Sequence, residues 1–370
     1  MQFAQNSSSM DVIIIGGGII GLLTAKELAQ SGARVGLLER QAVGQESSWA
    51  GGGILSPLYP WRAAEPVTAL CRWSQAAYPD LAAALRESTG IDPEWIRSGL
   101  LVNDCEDIEA ATNWCRSLAA RHANLTELEC ASLEPGLAIS PKNPIYFPDI
   151  AQIRNPRLLK ALRVDLMQRG VQLLENQEVL DIEISQGQVR HILTQRGKFS
   201  SANYVIAAGA WSGGIGRSVG LPLRVEPVKG QMLVFKAPPG LLRHIILSSG
   251  HYLIPRKDGR ILAGSTVEHS GFDKSTTEAA RDALAGFAQS ALPALLECPI
   301  EKHWAGLRPG TPEGIPYIGR HPQIPNLFFN CGHFRNGFVM APASAHLLTD
   351  LILECAPIVA PEPYRLMARH

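Results

Sequence analysis

The stretch that most constrains this chain is DVIIIGGGIIGLLTAKELAQSGARVGLLER, Asp11 to Arg40. Val12 to Ile15 are β-branched and apolar, the mark of a parallel strand buried on both faces. Gly16, Gly18 and Gly21 follow in G-x-G-x-x-G spacing. Gly16 permits the tight turn, Gly18 lets a pyrophosphate approach the backbone, and Gly21 lets the next helix pack close to the strand. The helix predicted over Ile19 to Gln30 aims its unpaired N–H groups and positive dipole end at that pyrophosphate. A second strand, Arg34 to Leu38, ends at Glu39, eighteen residues after Gly21. A carboxylate there can accept hydrogen bonds from an adenosine ribose. Strand, turn, helix, strand and acid together predict a dinucleotide site.

The 370 residues suit two intertwined domains. Lys+Arg and Asp+Glu both number 34, so the formal net charge is zero and nothing suggests the basic patch that nucleic acid or an anionic membrane requires. Seven cysteines, without a C-x-x-C pair, predict reduced thiols in a cytoplasmic protein rather than a disulfide scaffold. The apolar run Val12 to Leu23 is broken by four glycines and is too short to span a bilayer. Residues 1–9, MQFAQNSSS, lack the regions of a signal peptide and read as a polar extension.

The pattern predicts an α/β fold: a Rossmann-like dinucleotide domain (10–62, 150–222 and 299–356) interrupted by an antiparallel-sheet α+β substrate domain (63–149 and 223–298). After Glu39, the small-residue run Ala50 to Gly53 can lay backbone amides against a flat ring. Helical periodicity over Glu65 to Glu87 and Asp107 to Ala123 predicts helices packed on a sheet away from the nucleotide. Trp73, Trp95 and Trp114 read as core or interface residues. A helix is expected from Asn155 to Arg169, with Asn155 as cap and Pro156 in the first turn. Short strands follow at 171–174, 179–184 and 189–193. Asn203 to Ser212 reads as a buried strand, a glycine turn and a helix start. Residues 222–235, 251–255 and 260–267 alternate like antiparallel strands, and Thr276 to Ala291 reads as a helix. Ile300 to Leu307 and Leu327 to Cys331 are expected to return to the dinucleotide sheet, before a last helix over Gly337 to Leu353.

Four stretches now fall together: the N-terminal unit, AGGGILSP (50–57), VEPVKGQML (225–233), and HWAGLRPGTPEGIPYIGRHP (303–322) with GHFRNGFVMAP (332–342). They resemble the D-amino-acid oxidase superfamily of FAD-dependent amine oxidoreductases, nearest its glycine oxidases of thiamine biosynthesis, from Asp11 to about Glu354. The resemblance implies non-covalent FAD. Its phosphates would meet Gly16, Gly18, Ile19, Ile20 and Gly21, and its adenosine ribose Glu39 and Arg40. Ser47, Ser48, Gly52, Gly53 and Ile54 would line the pyrophosphate and flavin. Val179 would meet the adenine through its backbone, and Gly209 joins the same set. His333, Phe334, Arg335, Asn336, Gly337, Phe338 and Val339 would hold the flavin ring, where a glycine-bounded turn entering a helix offers amides to the electron-rich end of the reduced ring.

On the substrate side, Arg308 and Arg335 each sit in apolar company, where an arginine is usually paired with a carboxylate. From the residues alone, an internal ion pair and a substrate site are both open. The resemblance makes Arg308 the group that binds the substrate carboxylate and Tyr252 a substrate-side hydroxyl. It leaves Arg335 either orienting the flavin or shaping the wall, with Ile54 beside it. His251 and His303 read as structural. No side chain is assigned as acid or base. The implied reaction passes the α-hydrogen of a small amino acid or amine to the flavin, then electrons to O2. The resemblance also suggests a homotetramer. Ile54 and Val267 stand where the family usually has methionine, and Gly250 where it has histidine. These changes widen the expected substrates from glycine to sarcosine, small D-amino acids and D-proline. A quinone-dependent D-amino-acid dehydrogenase, a non-catalytic FAD electron-transfer subunit and an NAD-dependent dehydrogenase are the alternatives. No H-E-x-x-H or P-loop is present to support zinc or phosphoryl-transfer chemistry.

Overall fold

A computed structural model describes residues 10–366; the N-terminal polar extension lies outside the described residues. The chain opens with β1 (Met10–Ile15), α1 (Ile19–Gln30) and β2 (Val35–Leu38). A short helix, α2 (Ser47–Ala50), leads to the long α3 (Glu65–Thr89). Then come β3 (Leu100–Val102), α4 (Ile108–Ser117), β4 (Ala123–Asn124), α5 (Glu127–Leu133) and β5 (Ile145–Phe147). Next are α6 (Asn155–Gln168), β6 (Gln172–Leu174), β7 (Val179–Ser185), β8 (Gln188–Thr194), β9 (Gly197–Phe199) and β10 (Ser201–Ile206). α7 (Ser212–Ser218) precedes β11 (Glu226–Phe235), β12 (Ile245–Ser248), β13 (His251–Pro255) and β14 (Ile261–Gly264). The chain closes with α8 (Glu278–Ala291), β15 (Ile300–Gly310), β16 (Tyr317–Arg320), β17 (Leu327–Cys331) and α9 (Gly337–Leu353).

Strand alternation explains the first layer. The six-stranded sheet has the order β16-β17-β10-β1-β2-β6, parallel except for the antiparallel pair β16–β17. Val12 and Ile14 point to one face and pack into a core shared with α1, α3, α6 and α9. Ile13 and Ile15 point to the other, where they meet Ile182, Val189 and Ile192 of the small sheet β7-β8-β9. β1 is therefore buried on both faces, as its unbroken apolar run requires. Because β2 and β10 flank β1, the crevice at the carboxyl end of β1 is a topological switch point, the usual place for a ligand in such sheets.

The eight-stranded sheet runs β15-β11-β14-β13-β12-β3-β5-β4, antiparallel except for β12–β3. Its Leu233, Phe235 and Leu253 face α8, while Met232, Tyr252 and Ile254 face the opposite side, toward Ile54 and Trp304.

Three placements differ from the sequence reading. α3 packs on α9 and α6 in the core of the six-stranded sheet, not away from it. An amphipathic pattern shows that a helix has a buried face but not which layer covers it. β15 does not return to the dinucleotide sheet; it pairs along its length with β11 at the edge of the large sheet. Asn155 is the first helical residue rather than the cap, and its side-chain amide donates to the Ser48 carbonyl at 3.0 Å instead. No described helix is long and apolar enough to cross a membrane.

Candidate active site

A cavity of about 740 Å³ opens between the two large sheets. Its floor is the first glycine turn. Gly16 has φ +115°, and a Cβ there would stand 2.3 Å from the Ala207 carbonyl oxygen. Gly16, Gly18, Ile19 and Ile20 face the cavity. Gly21 does not; a Cβ at Gly21 would lie 1.9 Å from the Gly16 carbonyl oxygen, so it serves the close packing of helix on turn. Ser48 Oγ accepts the Ile19 N–H at 2.9 Å, which leaves the remaining first-turn amides of α1 for a ligand.

Glu39 and Arg40 follow β2 and line the same end. The Glu39 carboxylate already accepts the Gly17 N–H at 2.8 Å and the Gln41 N–H at 3.0 Å, so it braces the turn as well as presenting oxygen to the cavity. Arg40 is pinned between Glu46, at 2.6 Å, and the Trp211 ring, 3.6 Å from the guanidinium carbon. Val179 and Gly209 complete this end, Gly209 with φ +53°.

The middle wall is the loop after α2. Ser47, Ser48, Gly52, Gly53 and Ile54 all line the cavity. Side chains absent from the sequence reading hold this loop. Arg256, at the end of β13, is buried and donates to the carbonyls of Gly52 (2.7 Å) and Ile153 (3.2 Å) and to Gln152 Oε1 (2.7 Å). Burial lowers its guanidinium to about 10. Trp304 Nε1 donates to the Ala50 carbonyl at 3.0 Å. The cation directly after the apolar run His251–Pro255 was the available signal for Arg256.

The far end is the turn before α9. His333, Phe334, Arg335, Asn336, Gly337 and Phe338 line it, whereas Val339 turns into the helical core with 1% exposure. His333 is fully buried, its Nε2 has no partner among the described residues, and burial lowers its pKa to about 3. It is a neutral imidazole at pH 7, with an unused polar atom beside the cavity. Cys331, at the end of β17, is in the same wall.

Arg308 and Tyr252 meet opposite this turn, with Ser265 beside them. Arg308 donates from one terminal nitrogen to Ser265 Oγ at 2.7 Å and from the other to the Thr266 carbonyl at 3.2 Å. Burial holds its guanidinium below the ordinary arginine range, and the charge of Arg335 acts in the same direction. Neither Arg308 nor Arg335 forms an ion pair among the described residues. The internal-pair alternative is thereby removed. Tyr252 is buried, and its hydroxyl has a weak acceptor in Met232 Sδ at 3.7 Å. Of the three pocket departures, Ile54 faces the cavity; Gly250 and Val267 are exposed and outside it, so they do not change its volume.

The glycine cradle, the open amides of α1 and the orphaned His333 nitrogen fit a bound FAD. The chain is 46% identical over 354 residues to the glycine oxidase of Pseudomonas aeruginosa, covering 95% of this chain and 97% of that protein. It is 35% identical to the bifunctional protein ThiO/ThiG of Synechocystis, over 94% of this chain and 52% of that one. The crystal structure of glycine oxidase from Geobacillus kaustophilus superposes with a TM-score of 0.94 at 32% identity, covering 98% and 99% of the two chains. The FAD dependent oxidoreductase (DAO) profile matches residues 11–351, and the chain belongs to that family.

Proposed function

We propose that this protein is an FAD-dependent glycine oxidase. The observation that carries the reading is Arg308, whose half-buried guanidinium faces the cavity without a carboxylate of its own. A partly desolvated cation without a counter-charge is unfavourable, and the carboxylate of an amino acid supplies one. A paired guanidinium and carboxylate form two parallel hydrogen bonds, which fix orientation as well as affinity. Tyr252 adds a hydroxyl on the same side, and Ile54 limits the space for a substrate side chain. Arg308 and Arg335 place positive charge near the bound amine, which favours its neutral form. A bound FAD would supply a hydride acceptor for the α-hydrogen and pass the two electrons to O2 as H2O2, and water would hydrolyse the product imine to glyoxylate and ammonia. The protein supplies position and electrostatics.

The retained, unpaired Arg308 argues against a non-catalytic electron-transfer subunit. The ThiO/ThiG relative supports a role in thiamine biosynthesis, as the family resemblance implies. We assign Glu39 and Arg40 to the adenosine ribose, the 47–54 loop to the pyrophosphate and flavin, and residues 333–338 to the flavin ring. The attachment is non-covalent, so acid precipitation should release all of the flavin into the supernatant. With FAD-loaded protein in an oxygen electrode, kcat/KM should be highest among glycine, sarcosine, D-alanine and D-proline. Comparable efficiency on a bulky D-amino acid such as D-phenylalanine would contradict the small pocket.

A further inference from the structure

Arg308 is held by atoms of a segment outside the regular strands, and the device that holds this segment lies on the opposite face of the sheet. β11 pairs Met232 with Gly264, the last residue of β14. It next pairs Lys229 with Glu268. Between these pairs β11 has two residues, Gly230 and Gln231, whereas the facing segment has three, Ser265, Thr266 and Val267. The extra residue makes a bulge, a common way to re-aim groups beside a site. Here it brings the Ser265 hydroxyl and the Thr266 carbonyl onto Arg308. Gly230 leaves the room for this: a Cβ there would stand 2.2 Å from both terminal nitrogens of Arg308.

The neighbours of Gly230 close the bulge from behind. Side chains alternate along a strand, so Gly230 and Met232 face Arg308 and Tyr252 while Lys229 and Gln231 face α8. Lys229 is buried, exchanges both backbone hydrogen bonds with Glu268 at 2.9 Å, and places Nζ 2.9 Å from Glu268 Oε2. Gln231 donates from its side chain to Glu268 Oε1 at 2.8 Å and from its backbone N–H to Thr266 Oγ1 at 2.9 Å. Thr266 Oγ1 in turn donates to Glu268 Oε1. Partial burial alone would raise the Glu268 carboxyl, but hydrogen bonds from Thr266, Lys229 and Gln231 outweigh it and hold the group below its ordinary range. Desolvation offsets much of the attraction in such a pair, and its best-attested use is to fix one arrangement among several.

We propose that Lys229 and Glu268 are positioning residues for the substrate: their pair locks the 265–267 bulge and so aims Arg308 at the substrate carboxylate. The inference rests on the carboxylate role of Arg308, and the test separates the two. FAD-loaded Glu268→Gln, Thr266→Val and Arg308→Ala are assayed for KM and kcat with glycine, for the Ki of acetate as a competing carboxylate, and for FAD affinity by flavin fluorescence. Glu268→Gln is expected to raise both KM and Ki about tenfold, with kcat changed less than threefold and FAD affinity unchanged. Glu268→Asp should recover part of the loss. Thr266→Val keeps the carbonyl that Arg308 uses but removes the hydroxyl link, and should shift the same two constants about threefold. If Arg308→Ala raises both constants while Glu268→Gln and Thr266→Val leave them within twofold, the lock is overturned and the role of Arg308 stands. If Arg308→Ala also leaves them unchanged, both fall together. Loss of kcat and FAD affinity without a selective rise in KM and Ki would show a general structural role and also overturn the lock.

Discussion

At the scale of single residues, the proposal rests on Arg308, which faces the cavity without an ion-pair partner among the described residues. Arg308→Ala should raise KM for glycine tenfold or more, since losing a charge-assisted pair costs about 1.4 kcal/mol at the least. Steady-state kinetics on the FAD-loaded variant checks this, and an unchanged KM would remove Arg308 from the role. The sequence placed this arginine at the end of an apolar strand but left an internal ion pair open. Whether a carboxylate stands nearby depends on segments far apart in the chain, and the fold shows that Ser265 and Thr266 fill those positions. The same limit applies to Gly250 and Val267. Both were legible as departures from a family pattern, yet a side chain's distance from a cavity is a tertiary fact, and both lie outside it.

At the scale of elements, the glycine turn separates folding from binding. Gly18 has an ordinary φ of −77°, and a Cβ there would meet Ser48 Oγ at 3.0 Å. Gly18→Ala should therefore fold but fill the space a pyrophosphate needs, weakening FAD tenfold or more in a flavin fluorescence titration. Gly21→Ala, with its Cβ 1.9 Å from a backbone oxygen, should lower soluble yield and thermal stability even with FAD in excess. A Gly21→Ala protein as stable as the parent would contradict the packing role. β1, α1 and β2 were readable because strand, turn and helix are local and their period changes abruptly. β15 was readable as a strand but not as a member of its sheet, because its partner β11 lies about seventy residues earlier and register is fixed by pairing. α3 was readable as a helix, but its covering layer was decided by α9, far along the chain.

At the scale of the whole molecule, buried histidines set an acid limit. His333 is held to about 3, against an ordinary value near 6.5. Above pH 6.5 the folded and unfolded forms are both neutral at this site. As pH falls from 6.5 towards 3, the unfolded chain takes up a proton that the folded chain refuses, so stability falls by about 1.4 kcal/mol per pH unit. His303 and His321 are shifted in the same direction by burial. Urea midpoints of the FAD-free protein should therefore drop between pH 7.5 and 5.5, and His333→Gln should reduce the drop without abolishing it. An equal drop in that variant would show that His333 is not a source. For assembly, the family resemblance leads us to expect a particle of four 40.0 kDa chains in light scattering, and a monomer would contradict that.

The joining of two sheets around one cavity, with a glycine cradle at one end and an unpaired arginine at the other, predicts a flavin that glycine reduces. FAD-loaded protein is mixed with glycine in the absence of O2 and its visible flavin absorbance is followed. Bleaching is expected, then recovery with H2O2 once air is admitted. A flavin that keeps its colour with glycine, sarcosine, D-alanine and D-proline alike would contradict it.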